Sequence, residues 1–87
     1  MKKEIRFDTD KNGKRVAYRY SRQQMRWFKM KLAEAENLVA TGNVHSVIHG
    51  PNPWAADVKL MESWDDANGI HHMTYSYVVS FPTFATK

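Results

Sequence analysis

Apolar and polar residues alternate at the start of the chain, which predicts two β-strands joined by a tight turn. Asn12-Gly13 lies between the two runs and is the strongest short hairpin signal, because both central residues of a type I′ turn need positive φ. A turn centred there pairs Ile5 with Tyr20, whereas a shift by one residue mixes apolar and charged residues on each face. A longer loop closed by Thr9 and Lys14 preserves the same parity and is kept as an alternative. The predicted apolar face contains Ile5, Phe7, Thr9, Val16, Tyr18 and Tyr20.

A helical period follows this hairpin. Ser21–Gln24 has the sequence of a capping box, in which the Ser and Gln side chains bond to free amides at the start of a helix. Gly42 has the character of the left-handed residue that ends a helix. The sequence therefore predicts one long helix over residues 22–41, with Tyr20 and Met25 in contact across its start. Its core-facing stripe, with spacings of three and four, contains Met25, Phe28, Leu32, Ala35 and Val39.

The second half of the chain is predicted to consist of strands. Residues 44–49 form a short strand bounded by Gly and Pro, and residues 70–81 alternate as a last strand should. Residues 54–66 fit either a helix or the first strand of a second hairpin that turns at Asn68-Gly69. We favour the hairpin, because the helix would place two aspartates in its apolar arc.

In this second hairpin Trp64 faces Met73, and two aspartates, Asp65 and Asp66, lie opposite His72 and His71. The predicted order is ββαβββ, an α+β two-layer fold in which one long helix packs on one face of an antiparallel sheet. We expect a single domain over residues 1–87. The two Phe residues of the tail, residues 81–87, are expected to seal the edge of the core.

Charge is distributed unevenly over this predicted fold. Eleven of the 13 Lys and Arg residues lie between Lys2 and Lys31, against three acids, so this segment has a formal charge of +8. Residues 32–87 contain two basic and six acidic residues, a formal charge of −4. Such asymmetry is typical of a protein that binds a polyanion or an oppositely charged surface. It also allows a homodimer in which the basic half of one copy meets the acidic half of the other.

The predicted binding surface combines the solvent face of the hairpin with the basic first half of the helix. Basic residues near a helix start oppose the helix macrodipole, at roughly 0.3 to 1 kcal/mol each, which indicates that they serve a ligand. Trp27 lies off the core stripe, where it would stack on a base or contact a partner. We predict that nucleic acid, DNA or RNA, or an acidic protein surface contacts Arg6, Arg15, Arg19, Arg22, Arg26, Trp27, Lys29 and Lys31.

Residues that could carry catalysis are few. The chain has no cysteine, which excludes a disulfide, a thiolate nucleophile and a zinc–thiolate site. It has no glycine-rich phosphate loop and no paired catalytic carboxylates. Four histidines between residues 45 and 72 offer a metal site or an acid–base centre, but charge pairing across a surface hairpin explains them more simply. We therefore expect no catalytic residue, no bound metal and no cofactor.

These observations predict a small non-enzymatic protein that binds nucleic acid. The absence of cysteine fits the cytoplasm, and we expect neither a signal peptide nor a membrane-spanning segment, because no apolar run is long enough. A second hypothesis is a protein-binding regulator or inhibitor, of the phage or mobile-element type, that blocks a larger host complex. A third is a small endoribonuclease toxin, in which a histidine transfers protons and arginines hold the phosphate.

Overall fold

The computed structural model describes residues 3–78, which form six strands and one helix. In chain order they are β1 (Lys3–Thr9), β2 (Arg15–Ser21), β3 (Arg26–Met30), α1 (Leu32–Ala40), β4 (Val44–His49), β5 (Val58–Asp65) and β6 (His71–Tyr77). The strands form one sheet in the order β3-β2-β1-β4-β6-β5. The α+β class is confirmed. The antiparallel sheet is wrong, because β4 lies parallel to both β1 and β6, and the order is βββαβββ.

The parallel pairing follows from the path of α1. β3 and β1 both run antiparallel to β2, and β4 runs parallel to β1, so β3 and β4 point the same way. A chain that leaves one strand and re-enters the sheet in the same direction must cross over one face, and α1 makes that crossing. We call the covered side the helix face. The opposite side, which no helix covers within residues 3–78, is the open face.

The core lies between α1 and the helix face. Ala35 of α1 is fully buried, and Leu32, Leu38 and Val39 pack beside it against the sheet. Burying a side chain the size of Val or Ile contributes about 1.5 to 3 kcal/mol, so a helix of nine residues is stabilised mainly by this contact. The buried sheet residues of the cluster are Ile5, Phe7, Ala17, Val44 and Val47, with Ile70 beside them.

The predicted register of the first hairpin is wrong by one residue, since Ile5 pairs with Arg19 rather than Tyr20. The cause is a loop of three residues instead of two. The backbone N–H of Asp10 donates to the Lys14 carbonyl at 2.9 Å, and Gly13 alone has positive φ, at 78°. The Asp10 carboxylate accepts the backbone N–H groups of Asn12 and Lys14, which favours this loop over a type I′ turn.

The shift turns β2 over relative to β1, so both faces mix apolar and charged residues. The helix face holds Ile5, Phe7, Thr9, Arg15, Ala17 and Arg19. The open face holds Arg6, Asp8, Val16 and Tyr18, with Tyr20 beyond them. Two of these arginines pack against aromatic rings. The guanidinium carbon of Arg15 is 4.3 Å from the centroid of the Phe7 ring, and that of Arg6 is 4.3 Å from the centroid of the Tyr18 ring.

The predicted long helix is wrong over its first half. Residues 22–25 form a turn and residues 26–30 form the edge strand β3, so helix begins only at Leu32. The Ser21 hydroxyl does accept the N–H of Gln24, at 3.3 Å, as a capping box requires. Met25 then has a positive φ of 54°, so the helix does not continue and strand β3 begins at the next residue. Its side chain is 78% exposed, which rules out the predicted contact with Tyr20.

The second hairpin is confirmed, and residues 58–65 form a strand rather than a helix. Its turn repeats the first one: Asp66 Oδ1 accepts two backbone N–H groups, and Gly69 has positive φ. The register is again shifted by one, so Trp64 pairs with His72 rather than Met73. The last strand ends at Tyr77, one residue before the described part of the chain ends at Val78, and the predicted strand residues 79–81 and the rest of the tail lie outside the described residues.

Candidate anion-binding groove

The structure divides the eight predicted binding residues among three places. Four of them line one groove: Arg15, Arg19, Lys29 and Lys31. Arg22 lies in the turn after β2, where it donates to Glu4 at 3.3 Å, and Arg26 starts β3. Arg6 and Trp27 lie on the open face. The solvent-exposed position predicted for Arg6 is wrong, because this residue is only 6% exposed.

An open groove of about 930 Å³ lies between the first hairpin, β3 and the start of α1. Six basic and two acidic side chains line it, which gives the lining a formal charge of +4. The basic residues are Lys3, Lys14, Arg15, Arg19, Lys29 and Lys31, and the acidic ones are Asp10 and Glu34. Lys3 and Lys14 were not predicted, and only the topology shows that they face the same groove.

Most of the groove cations lack a carboxylate partner. Within residues 3–78 only Arg15 has one within 4.0 Å: it donates to Glu36 at 2.9 Å, and both side chains are half exposed. The Asp10 carboxylate is already bonded to the backbone N–H groups of Lys14 and Asn12, which hold its pKa below the usual value and keep it ionised. The ionised Asp10 offsets part of the charge of Lys14 and Lys29, and the groove lining keeps its net positive charge.

Helix α1 begins at this groove. Lys31 is its N-cap residue, and no side chain caps the first turn. The first amides of a helix have no partner within the helix and carry the positive end of its dipole. They add positive potential at the end of the groove where Lys31 lies, and Glu34 in the first turn offsets part of it.

Phe28 contacts one arginine of the groove, Arg19, and one further arginine, Arg26. The guanidinium carbons of Arg19 and Arg26 lie 5.0 and 4.5 Å from the centroid of its ring. Each such contact contributes about 0.5 to 1 kcal/mol at an exposed site. Neither arginine is within 4.0 Å of a carboxylate in the described part of the chain. The sequence assigned Phe28 to the core of a helix, whereas it supports basic side chains on an edge strand.

The open face carries a separate cluster around Arg6. Its Nη1 donates to Asp8 Oδ2 at 2.8 Å and to the Gly50 carbonyl at 3.1 Å. The Trp27 ring, 5.2 Å from this guanidinium, is in turn covered by Tyr20 and Trp54. The Arg6 Nε and Trp27 Nε1 atoms are buried without a hydrogen-bond partner, a cost of about 1 to 3 kcal/mol for each such group.

Sequence reasoning missed Trp54, which is 61% exposed in the loop between β4 and β5. Its centroid lies 4.8 Å from that of Tyr20 and 5.6 Å from that of Trp27. Loop residues follow no apolar period, so the pattern of the sequence does not indicate which of them contact the sheet. The one signal in the sequence is a large aromatic residue directly after the Gly50-Pro51-Asn52-Pro53 segment, where a buried ring is not expected.

His49 and His72 form a second polar cluster, on the helix face. His72 Nε2 lies 2.8 Å from Asp66 Oδ2, and its Nδ1 lies 3.0 Å from His49 Nε2. The predicted pairs are exchanged: His71 bonds to Asp65, at 2.8 Å. Burial, followed by the positive charges of His72 and Arg15, lowers the pKa of His49.

Two absences hold for residues 3–78. They contain no group of three or more His, Asp and Glu residues arranged to hold a metal ion. They also contain no helix long and apolar enough to cross a membrane.

The far edge of the sheet, strand β5, is uncovered and mixes apolar with charged residues. Seven of the eight residues of β5 are exposed, including Leu60, Met61 and Trp64. No strand pairs with its outer side within the described part of the chain. A free edge of this kind can accept a strand from another protein.

Similarity to known proteins assigns no family to this chain and no function to the groove. Comparisons with protein-family models, with curated proteins and with solved structures found no significant match.

Proposed function

We propose that this protein binds nucleic acid through the groove between the first hairpin, β3 and α1, without catalysing a reaction. The observation that supports this most strongly is the convergence of six basic side chains on a groove with only two acids. Phosphate groups would neutralise the cations that lack a carboxylate partner, and the counterions released from the nucleic acid would favour binding at low salt.

The spacing of the cations favours a polymer over a compact anion. Arg15 and Arg19 share one face of β2 and are four residues apart, which is about 13 Å along a strand. The two guanidiniums also lie on different rings, that of Arg15 on Phe7 and that of Arg19 on Phe28, so a ligand with several phosphates can contact both without moving them. Such a ligand can also reach Lys29 and Lys31 on the other side of the groove.

The experiment that tests this proposal measures binding of fluorescein-labelled DNA and RNA between about 50 and 200 mM salt. Lys29→Gln should weaken binding to every sequence and lower the slope of log K against log salt by about 1. Lys59→Gln is the matched control, because Lys59 is also an exposed lysine on an edge strand but lies on β5, outside the groove. Absence of binding at about 50 mM salt, or equal effects of the two substitutions, would contradict the proposal.

A second candidate function is supported by the exposed β5 edge. A regulator or inhibitor of the phage or mobile-element type would add this strand to a sheet of its target and bury Leu60 and Met61. The test is capture from a nuclease-treated lysate. A stoichiometric protein that is bound by the natural chain and by Lys29→Gln, but lost with Leu60→Lys, supports this function. A partner lost with Lys29→Gln instead would assign the interaction to the groove.

A further inference from the structure

The indole of Trp54 is held in place from one side. Tyr20 and Trp27 support the ring at centroid distances of 4.8 and 5.6 Å, yet 61% of the residue is exposed. The backbone is fixed as well, because Asn52 Oδ1 accepts the N–H of Trp54 at 3.1 Å and the Asn52 carbonyl accepts that of Ala55. The ring is therefore ordered while much of its surface faces solvent.

The start of the loop that carries Trp54 is also fixed. The Gly50 carbonyl accepts a hydrogen bond from the buried Arg6, and a Cβ at Gly50 would collide with the Tyr75 carbonyl. Because Arg6 also lies against Trp27, the same guanidinium braces both the loop and the ring beneath Trp54. A ring that is already ordered loses little conformational entropy when a ligand stacks on it.

The edge strand β3 links the basic groove to this ring, because it contributes one residue to each. Trp27 and Lys29 are two residues apart on β3 and share its open-face side, so they lie about 7 Å apart along the strand. Lys29 lines the groove and Trp27 supports Trp54. A phosphate held at Lys29 would place a neighbouring nucleotide beside the Trp54 indole.

The basic groove and the exposed Trp54 indole together favour one kind of ligand. Repeated negative charge is needed for the groove, and a planar ring with a free face is needed for the indole. Bases in a duplex are paired and stacked on one another, whereas an unpaired base can turn its face to an aromatic side chain. We propose that Trp54 is a stacking platform for an unpaired base, so that the ligand is single-stranded nucleic acid. This inference rests on the proposed function of the groove.

The test compares three ligands of about 10 nucleotides: oligothymidine, an abasic strand with the same backbone, and a duplex. The natural chain should bind oligothymidine about tenfold more tightly than the abasic strand, because only the former stacks. Trp54→Ala should abolish this difference and leave binding of the abasic strand unchanged. Trp54→Phe should restore part of it. Trp64→Ala is the matched control, since Trp64 is an exposed tryptophan on the opposite face, and this variant should keep the full difference.

The outcomes separate this inference from the function on which it rests. If none of the three ligands binds at about 50 mM salt, the proposed function itself fails. If binding depends on Lys29 but oligothymidine and the abasic strand bind equally, the groove binds phosphates and the Trp54 inference is overturned. Tighter binding of the duplex, or equal effects of Trp54→Ala and Trp64→Ala, would overturn it too. Unchanged circular dichroism of Trp54→Ala would confirm that the variant is folded.

Discussion

His72 and Asp66 join the second hairpin turn to the buried side of the sheet. Asp66 Oδ1 accepts the backbone N–H groups of Asn68 and Ile70, and its Oδ2 accepts a hydrogen bond from His72 Nε2 at 2.8 Å. The other ring nitrogen of His72 lies 3.0 Å from His49, which is stacked beside Phe7. One carboxylate thus fixes the backbone of a turn and the orientation of two imidazoles, so local turn chemistry is coupled to the sheet.

This cluster predicts that the protein loses stability in mild acid. The pKa of His49 is lowered from 6.5 by burial and by the positive charges of His72 and Arg15. Between the folded pKa and 6.5 the unfolded chain binds more protons, so the free energy of unfolding decreases as pH falls through this window. The pKa of Asp66 is also lowered, mainly by its hydrogen bond from His72, and that contribution is lost only below 3.8.

Urea denaturation between about pH 5 and 7.5 measures the effect of His49. His49→Gln keeps a side-chain amide that can bond to His72 but cannot titrate, so the pH dependence in this window should become smaller. His45→Gln is the control, because His45 is an exposed histidine on the same strand. A pH profile that His49→Gln leaves unchanged would show that another group causes the dependence.

The turn itself predicts a difference between two adjacent aspartates. Asp66→Ala removes the acceptor of two backbone N–H groups and of His72, whereas Asp65→Ala removes only the contact of an exposed His71. We expect a clear decrease in the urea midpoint for Asp66→Ala and almost none for Asp65→Ala, because exposed ion pairs contribute little. Asp66→Asn, which keeps an oxygen for the turn, should fall between them. Equal decreases for the two alanine variants would contradict this account.

Much of the fold could be predicted because apolar spacing and turn glycines are local signals. Both hairpins lie where Asn-Gly marks them, and Leu32, Ala35 and Val39 form a core-facing stripe of a real helix. The registers could not be predicted, because each Asn-Gly is preceded by an aspartate two residues before the Asn, and its carboxylate selects a three-residue loop. The first half of the helix failed because Met25 adopts positive φ, which nothing in its residue type favours.

The sequence identified the basic segment that contributes to the site, but not which of its residues face the same groove. Counting charges identified Arg15, Arg19, Lys29 and Lys31, because they are close in sequence. Lys3 joins them only because the observed register places Arg15 and Arg19 on its side of the hairpin, whereas the predicted register placed them on the other side. Burial of Arg6 depends on the same register that the pattern of apolar residues failed to predict.

Arg6 is predicted to be the most sensitive basic residue for stability. Arg6→Ala leaves Asp8 and the Gly50 carbonyl without their donor and opens space against Tyr18 and Trp27, at a cost of about 2 to 4 kcal/mol. Arg6→Met should cost less, because it fills the same space and removes the unpaired Nε. Chemical denaturation measures both values. A cost for Met as large as that for Ala would show that the hydrogen bonds of Arg6, rather than its packing, dominate.

Substitution of Phe28 tests whether binding depends on the arrangement of the cations as well as on their number. Phe28→Leu keeps every cation but removes the ring that supports Arg19 and Arg26, so the two guanidiniums lose a fixed position. We expect affinity for single-stranded nucleic acid to fall about 3- to 10-fold, because the arginines must then be ordered on binding. The salt slope should stay unchanged, in contrast to the decrease of about 1 expected for Lys29→Gln. Phe28→Tyr, which retains an aromatic face, should bind like the natural chain. If Phe28→Leu lowers the slope of log K against log salt, Arg19 or Arg26 no longer reaches a phosphate at all. If the Leu variant and the natural chain bind with equal affinity, the ring has no part in binding.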